Sequence, residues 1–559
     1  MNTVKRTPLA LRKGSQPDAP NGRRRALVAG GPLMVGLPWL GAGLGPLAAY
    51  AQTTDASGKP RRGGSLVMAL SADPAQLNPN LSSGVPDHAA GELIYEGLTE
   101  IKDDFTIAPL LARSWTISPD GTVYTFTLEE ATWHDGKPFT SADVKYSIEE
   151  VSAKYAAKFA AAAALLKSVE TPDPRTVVIT LSKPYAPLLL SLSAYGGGAV
   201  LPKHLFEGTS PLDNPASLKQ PVGTGPFMLK SWQHGDRLVL ERNPNYWRGE
   251  GRPYLDQIIL RVIPDGSTRV LAMQAGEVDF SYFYFYPPSR IKEAQSNPRL
   301  QVRDQSVPED KILIINVRNK PFDDARVRQA LMRAINRDYI TKVVYRGLSR
   351  TMKNHIDSRL SWAFDPSIDL DKMYATDVEA AKKLLVEAGV DTASRPLELR
   401  LVYDSADVDF GRLAQVLESM WGKIGVKTTL QAMPRNVMLD KVFTDWDFDV
   451  TIQAYSTSGD PALGVSRLYI SSAIQKRPFV NASGYSHPDI DKLFDDGAST
   501  SGFEARGEIY KQAARILARD LPVIPIWETA GINVASRRIH GTWAYGTGYT
   551  HWDDVWADA

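Results

Sequence analysis

Residues 397–433 read LELRLVYDSADVDFGRLAQVLESMWGKIGVKTTLQAM, and this stretch decides the fold class. Positions 397–403, LELRLVY, have strand length and end in Leu401-Val402-Tyr403, residues that suit a pleated surface. Phe410, Leu413, Leu417, Met420, Trp421 and Ile424 then recur every three or four residues, which puts them on one side of a helix. Gly425 stops that helix, because glycine takes the left-handed conformation that helix ends use. Positions 426–433 read as the next strand. A strand, a helix and a strand in one sheet make a right-handed crossover, so the chain is of the α/β class. Around this unit, Asp377 opens a helix that ends at Gly389, and 448–454 is a further strand.

The same patterns extend outward. Strands are expected at 66–70, 122–128, 176–181, 258–263 and 312–317, and in the second of these Tyr124, Phe126 and Leu128 alternate onto one face. A helix starts near Thr140, with Asp143 in capping-box position, after an Asp135-Gly136 turn. The alanine-rich run 154–169 reads as another helix, and Gly276 ends one before it reaches Asp279. Asp323 or Asp324 caps a helix whose Val327, Ala330, Leu331, Ala334 and Ile335 are core residues. The tail beyond Pro522, ending in Trp552 and Trp556, is expected to pack back on the body. A length of 559 residues exceeds the roughly 250–300 at which single cores stop growing, so several domains are implied.

Charge and composition narrow the function. Residues 1–51 hold seven Lys and Arg and one acid, which leaves 57 bases against 62 acids, a net of −5, in the remainder. A body of that sign is not a general nucleic-acid binder. Arg23-Arg24-Arg25, a Gly- and Pro-rich apolar stretch and the exit Ala49-Tyr50-Ala51 read as a cleavable export signal, of twin-arginine type. Pro32, Pro38 and Pro46 argue against a permanent membrane anchor there. The sequence has no Cys, which excludes disulfides, thiolate sites and a lipid anchor on a cysteine. The expected location is periplasmic, without a lipid tether.

Catalytic grammar is missing. There is no Gly-Lys-Ser/Thr phosphate loop, dinucleotide fingerprint, His-Glu-x-x-His helix or Gly-x-Ser-x-Gly elbow. Eight His and no Cys give no recognisable metal set. In Trp133-His134-Asp135-Gly136 the imidazole and carboxylate point to opposite faces of an extended segment, so the motif reads as turn chemistry. Gly223-Thr224-Gly225-Pro226 likewise reads as a tight turn, and Trp446-Asp447-Phe448-Asp449 as the entry to a buried strand. No catalytic residue, metal or cofactor is assigned.

Further motifs, taken together in chain order, carry a resemblance. They are Tyr95-Glu96-Gly97-Leu98, Ser118-Pro119-Asp120-Gly121, Trp133-His134-Asp135-Gly136-Lys137-Pro138-Phe139-Thr140 and Pro221-Val222-Gly223-Thr224-Gly225-Pro226-Phe227. Asn243-Pro244-Asn245-Tyr246-Trp247, Ala275-Gly276-Glu277-Val278-Asp279 and Asn319-Lys320-Pro321-Phe322-Asp323-Asp324 follow. The chain resembles the large periplasmic oligopeptide- and dipeptide-binding proteins of ABC importers, extracellular solute-binding family five. That resemblance implies a two-lobed α/β binding protein with an extra domain and a hinge. Residues 62–96, 220–309 and 525–559 would form lobe I, 97–219 the extra domain and 310–524 lobe II. It implies a monomer that captures a peptide or other small solute and delivers it to the permease subunits of an importer. Sugars, opines or metal chelates are the alternative ligands, ligand sensing an alternative role, and an exported hydrolase the reading from another class.

The resemblance also points to a site. Asp460, in Gly459-Asp460-Pro461 after Tyr455, matches the segment from which peptide-binding relatives offer an acid to the ligand's ammonium, a charge-assisted bond. The continuation Ala462-Leu463-Gly464-Val465 departs from the polar and aromatic residues usual there. Tyr282, Tyr284 and Tyr286 would face the cleft if 282–286 is extended, with Phe283 and Phe285 turned inward. No arginine is singled out by spacing for a ligand carboxylate.

Overall fold

The computed structural model describes residues 59–558 except 83, 103–104, 250, 283–284, 288–289, 305–308, 406, 477, 530 and 542–551. The expected export signal, 1–51, and Tyr284 lie outside the described residues. Two large sheets organise the chain. The first has seven strands, in the order Leu300–Asp304, Ile532–Ser536, Phe280–Ser281, Ser65–Leu70, Gln257–Val262, Arg237–Arg242 and Phe227–Gln233. The second has six: Arg350–Thr351, Val523–Glu528, Glu309–Ile315, Val450–Ser456, Leu397–Asp404 and Val426–Met433. In it, Leu397–Asp404 pairs in parallel with both Val426–Met433 and Val450–Ser456. The crossover helix is Val408–Gly422, its first turn held by the Asp407 carboxylate, which accepts from the backbone N–H groups of Asp409 and Phe410. Leu413, Leu417, Trp421 and Ile424 are buried, as the helical spacing requires.

A separate antiparallel sheet is built from Ala112–Ile117, Val123–Leu128, Thr176–Leu181 and Leu166–Asp173. Its last strand corrects the expectation of one helix over 154–169. That run breaks into Ala153–Tyr155, a 3-10 turn Ala157–Phe159 and Ala160–Ala163, and then enters the strand. Alanine's helix propensity is worth only tenths of a kcal/mol per residue, and the hairpin with Thr176–Leu181 outweighs it. The tail returns to the body, with Trp552 and Trp556 buried. Among the described residues no helix is long and apolar enough to cross a membrane.

The chain passes between the two large sheets twice, from Leu300–Asp304 to Glu309–Ile315 and from Val523–Glu528 to Ile532–Ser536. The strands that flank these passages are antiparallel neighbours, with Asp304 opposite Ile532 and Asp310 opposite Glu528. The boundary expected at 524–525 falls inside a strand of the second sheet, because residues 523–528 bond to Glu309–Ile315, so the passage lies at 529–531. Beside it, Arg359 donates to the Thr529 carbonyl at 2.6 Å and to Asp357 Oδ1 at 2.7 Å. The Glu528 carboxylate accepts from the Ser358 N–H at 2.8 Å and hydroxyl at 2.6 Å.

Candidate ligand-binding cleft

The segment after the strand Val450–Ser456 is where the second sheet's body meets the four-stranded domain. Leu463 packs against the cores of both. Phe105 and Tyr195, from the 97–219 region, join the core under the second sheet. The Ala186 N–H donates to the Ala498 carbonyl at 2.8 Å, and Lys183 pairs with Asp495. Gly464 permits the close return of this segment, since a Cβ there would stand 2.1 Å from the Thr457 carbonyl carbon. A small hollow behind it is lined by Asp310, His355, Tyr455, Thr457, Gly464 and Tyr469.

Asp460 sits in this segment and is buried, but its carboxylate is not vacant. Arg506 Nη2 donates to both carboxylate oxygens at 2.7 Å, and Oδ1 also accepts from the Ala462 N–H at 2.9 Å. Arg506 is fixed in turn by the Gly497 carbonyl at 2.7 Å and by the face of Trp362. Burial pulls the guanidinium pKa down and the neighbouring Asp460 charge pulls it up, with a net rise. The carboxylate that the sequence offers to a ligand's ammonium is held in this structure by a cation from 46 residues along the chain.

Tyr455 is buried beside Asp460's segment, its ring edge-on to Phe479 and under the guanidinium of Arg467, 5.0 Å away. Burial pushes its phenol pKa up. The tyrosine run does not continue as a strand. After Phe280–Ser281 the N–H groups of Phe285 and Tyr286 both donate to the Tyr282 carbonyl, at 2.8 and 3.1 Å, so the backbone turns. Period-two alternation therefore fails, and Tyr282, Phe285 and Tyr286 are all buried, the first two in one core and the third in another. Burial raises the pKa of Tyr286 to about 12.

Sequence reading missed Arg467, Lys158 and Tyr195. Arg467 Nε donates to the Gly464 carbonyl at 3.1 Å and Nη2 to the Ser456 carbonyl at 3.2 Å. Lys158 Nζ lies 3.5 Å from the centroid of the Tyr195 ring. Nothing in local spacing marks these residues, because they come from two bodies that only the fold brings together.

The motifs that carried the resemblance form scaffold. Glu96 accepts from Thr224 Oγ1 at 2.8 Å, Tyr246 Oη at 2.7 Å and Trp247 Nε1 at 2.9 Å, tying three motifs into one buried knot. Burial outweighs these donors and raises its pKa to about 7. A recess beside the knot has its charges settled internally, Arg248 pairing with Glu100 at 3.0 Å and Asp553 at 3.4 Å. Gly223 lets the knot close: a Cβ there would stand 1.8 Å from the Ile94 carbonyl oxygen. Gly223→Ala is expected to cost about 3 kcal/mol or more. An unchanged thermal midpoint would refute this close approach.

His134 also serves the knot. Its Nε2 donates to the Gly225 carbonyl at 2.9 Å and its Nδ1 accepts from the Gly223 N–H at 3.2 Å. The ring is held neutral, its pKa lowered by burial to about 4, as is that of His355. A histidine whose folded pKa is depressed binds fewer protons than in the unfolded chain. Stability therefore falls as pH drops from about 6.5 to about 4, by up to about 3 kcal/mol for each ring. Melting curves across this range should fall less steeply for His134→Gln than for the parent; parallel curves would count against a neutral buried ring.

Comparison with known proteins agrees with this architecture. The family model described as bacterial extracellular solute-binding proteins, family 5 Middle, matches residues 106–476. The chain is 28% identical over 516 residues to oligopeptide-binding protein AppA of Bacillus subtilis, covering 89% of this chain and 92% of that one. It is 28% identical over 525 residues to heme-binding protein A of Haemophilus influenzae, with coverages of 88% and 92%. The solved structure of the periplasmic binding protein DppA from Helicobacter pylori, in complex with peptide STSA, superimposes with a TM-score of 0.73 at 26% identity, covering 89% of this chain and 99% of that one. Two sheets joined by paired crossings, a buried knot of shared motifs and a match over most of the chain have one reading: the protein belongs to the bacterial extracellular solute-binding proteins, family 5.

Proposed function

We propose that this protein captures a peptide or related small solute between its two lobes and delivers it to the permease of an ABC importer. The observation that carries the reading is that the chain passes twice between the two large sheets, the flanking strands being antiparallel neighbours at Asp304–Ile532 and Asp310–Glu528, where a hinge would lie. Closure would be a population shift driven by contacts that the ligand makes with both lobes at once. Residues 62–96, 220–304 and 532–558 serve as lobe I, 97–219 as the extra domain and 309–528 as lobe II. Residues 1–51 act as a removable export signal, and the absence of Cys leaves the mature protein in the periplasm without a lipid anchor. The peptide reading is supported by the likeness to AppA and to DppA, and the heme-binding relative keeps a non-peptide solute as the second reading.

The test is native mass spectrometry of freshly purified protein, followed by a thermal-shift screen of dipeptides, oligopeptides, sugars and heme. A solute that binds only the folded state raises the melting temperature. A shift confined to peptides supports the first reading, whereas a shift confined to heme or sugars replaces it with the second. Turnover of a peptide or ester panel by the purified protein would overturn both.

A further inference from the structure

We infer that the small hollow behind Gly464 is a binding site for one water molecule, which donates to His355 Nδ1 and the Asp310 carboxyl and accepts from the Thr457 hydroxyl. Three polar atoms of the residues that line it, Asp310 Oδ1, His355 Nδ1 and Thr457 Oγ1, have no hydrogen-bond partner among the described residues. The three residues are 4%, 2% and 3% exposed, so bulk solvent does not serve them. A buried polar atom without a partner is costly. Three of them around one space are the signature of a bound water, which takes two to four polar partners at once.

The chemistry of these atoms selects the occupant. His355 Nε2 faces the Val523 carbonyl at 3.0 Å and so carries the ring's proton. Burial keeps the ring neutral at ordinary pH, which leaves Nδ1 a lone pair in need of a donor. The Asp310 carboxyl is hydrogen-bonded to Asp357. Two acids bond only across a shared proton, so one Asp310 oxygen is left to accept. Arg359 Nη2 stands 3.8 Å from Oδ1, too far to serve it. The Thr457 hydroxyl can donate or accept. An occupant with two donors and a lone pair completes the set, and water is that molecule.

The charges around the hollow balance without an ion. Asp310 and Asp357 carry one negative charge between them, and Arg359, paired with Asp357, cancels it. Burial holds the phenols of Tyr455 and Tyr469 protonated. Among the described residues no group of three His, Asp or Glu side chains is placed to hold a metal ion. The water ties three parts of the chain together. Asp310 stands beside the first crossing, opposite Glu528 and Tyr455. His355 is fastened to the strand Val523–Glu528, and Thr457 opens the segment that carries Asp460 and returns at Gly464. The site thus fixes the base of the Asp460 segment to the strands beside the crossings.

A crystal structure of the mature chain, at a resolution that shows ordered water, tests the site. One peak within hydrogen-bond distance of all three side chains is expected. Thr457→Val keeps the shape and removes the hydroxyl; it should lose the peak and lower the thermal midpoint by roughly 1–3 °C. Asp310→Asn should keep the peak, because its amide oxygen still accepts while its NH2 donates to Asp357; this variant and the parent decide the matter should Thr457→Val fail to fold. No peak, a direct bond between Asp310 and His355, or metal-like coordination distances would overturn the water site. So would a peak and midpoint unchanged in Thr457→Val. A thermal midpoint raised by ammonium chloride but not by sodium chloride would replace the water with an ammonium ion and overturn the neutral site.

Discussion

Replacing Arg359 by Met is expected to destabilise the protein by about 3–5 kcal/mol, the cost of leaving buried carboxylates without their cation. Three acids depend on this one guanidinium. Asp357 is fully buried and takes a bidentate contact, Asp310 lies 3.8 Å away, and Glu528 completes the cluster from the opposite strand. Burial, with the Asp357 charge next, already holds the Asp310 pKa well above the usual carboxylate range, and burial raises that of Glu528. Without Arg359 the raised Asp310 and Glu528 values climb further, and that of Asp357, which burial raises but Arg359 brings to a net fall, climbs as well. An acid with a raised folded pKa penalises folding above that pKa, and the penalty disappears below the unfolded value, near 4. The deficit of Arg359→Met relative to the parent should therefore be full at neutral pH and shrink as pH approaches about 4. Thermal midpoints for both proteins across this range check it, and a deficit independent of pH would mean that packing alone had been lost. Arg359 also holds the Thr529 carbonyl in the crossing, so faster hydrogen exchange at 529–532 is expected in the variant.

Arg506→Met is expected to cost a comparable 3–5 kcal/mol, because Asp460 would remain buried and unpaired. Adding Asp460→Asn to that variant removes the stranded charge and should restore much of the lost stability. Such recovery is a coupling that a double-mutant cycle measures directly. The single change Asp460→Asn should also destabilise, since it strands Arg506 instead. A normal melting temperature in Asp460→Asn combined with lost peptide binding would reverse the assignment and return Asp460 to the ligand.

Much of the scaffold is legible in the sequence because it is encoded locally. Asp407, Asp377 and Asp324 each accept from backbone N–H groups in the first turn of the helix that follows them. Gly425, at φ +77, ends the crossover helix where a left-handed residue was expected. The alternation of Tyr124, Phe126 and Leu128 emerges as a buried face. Even the scaffold role of His134 follows from residue types that suit a turn. The alanine-rich run misleads because intrinsic propensity is weak beside the pairing of Leu166–Asp173 with Thr176–Leu181.

The cleft was less legible, and the reason is physical. The sequence by itself determined the α/β class, the capped helices, most strands and the motifs that join into the knot around Glu96. Each depends on neighbours a few residues away or on a hydrophobic period. Only the tertiary structure decided that Arg506 neutralises Asp460, that the chain turns at Tyr282 instead of extending, and that Arg467 lies over Tyr455. A charge's role depends on which other charges reach it within a few ångströms. Partners 46 residues apart, or on different lobes, leave no periodicity for a sequence to display.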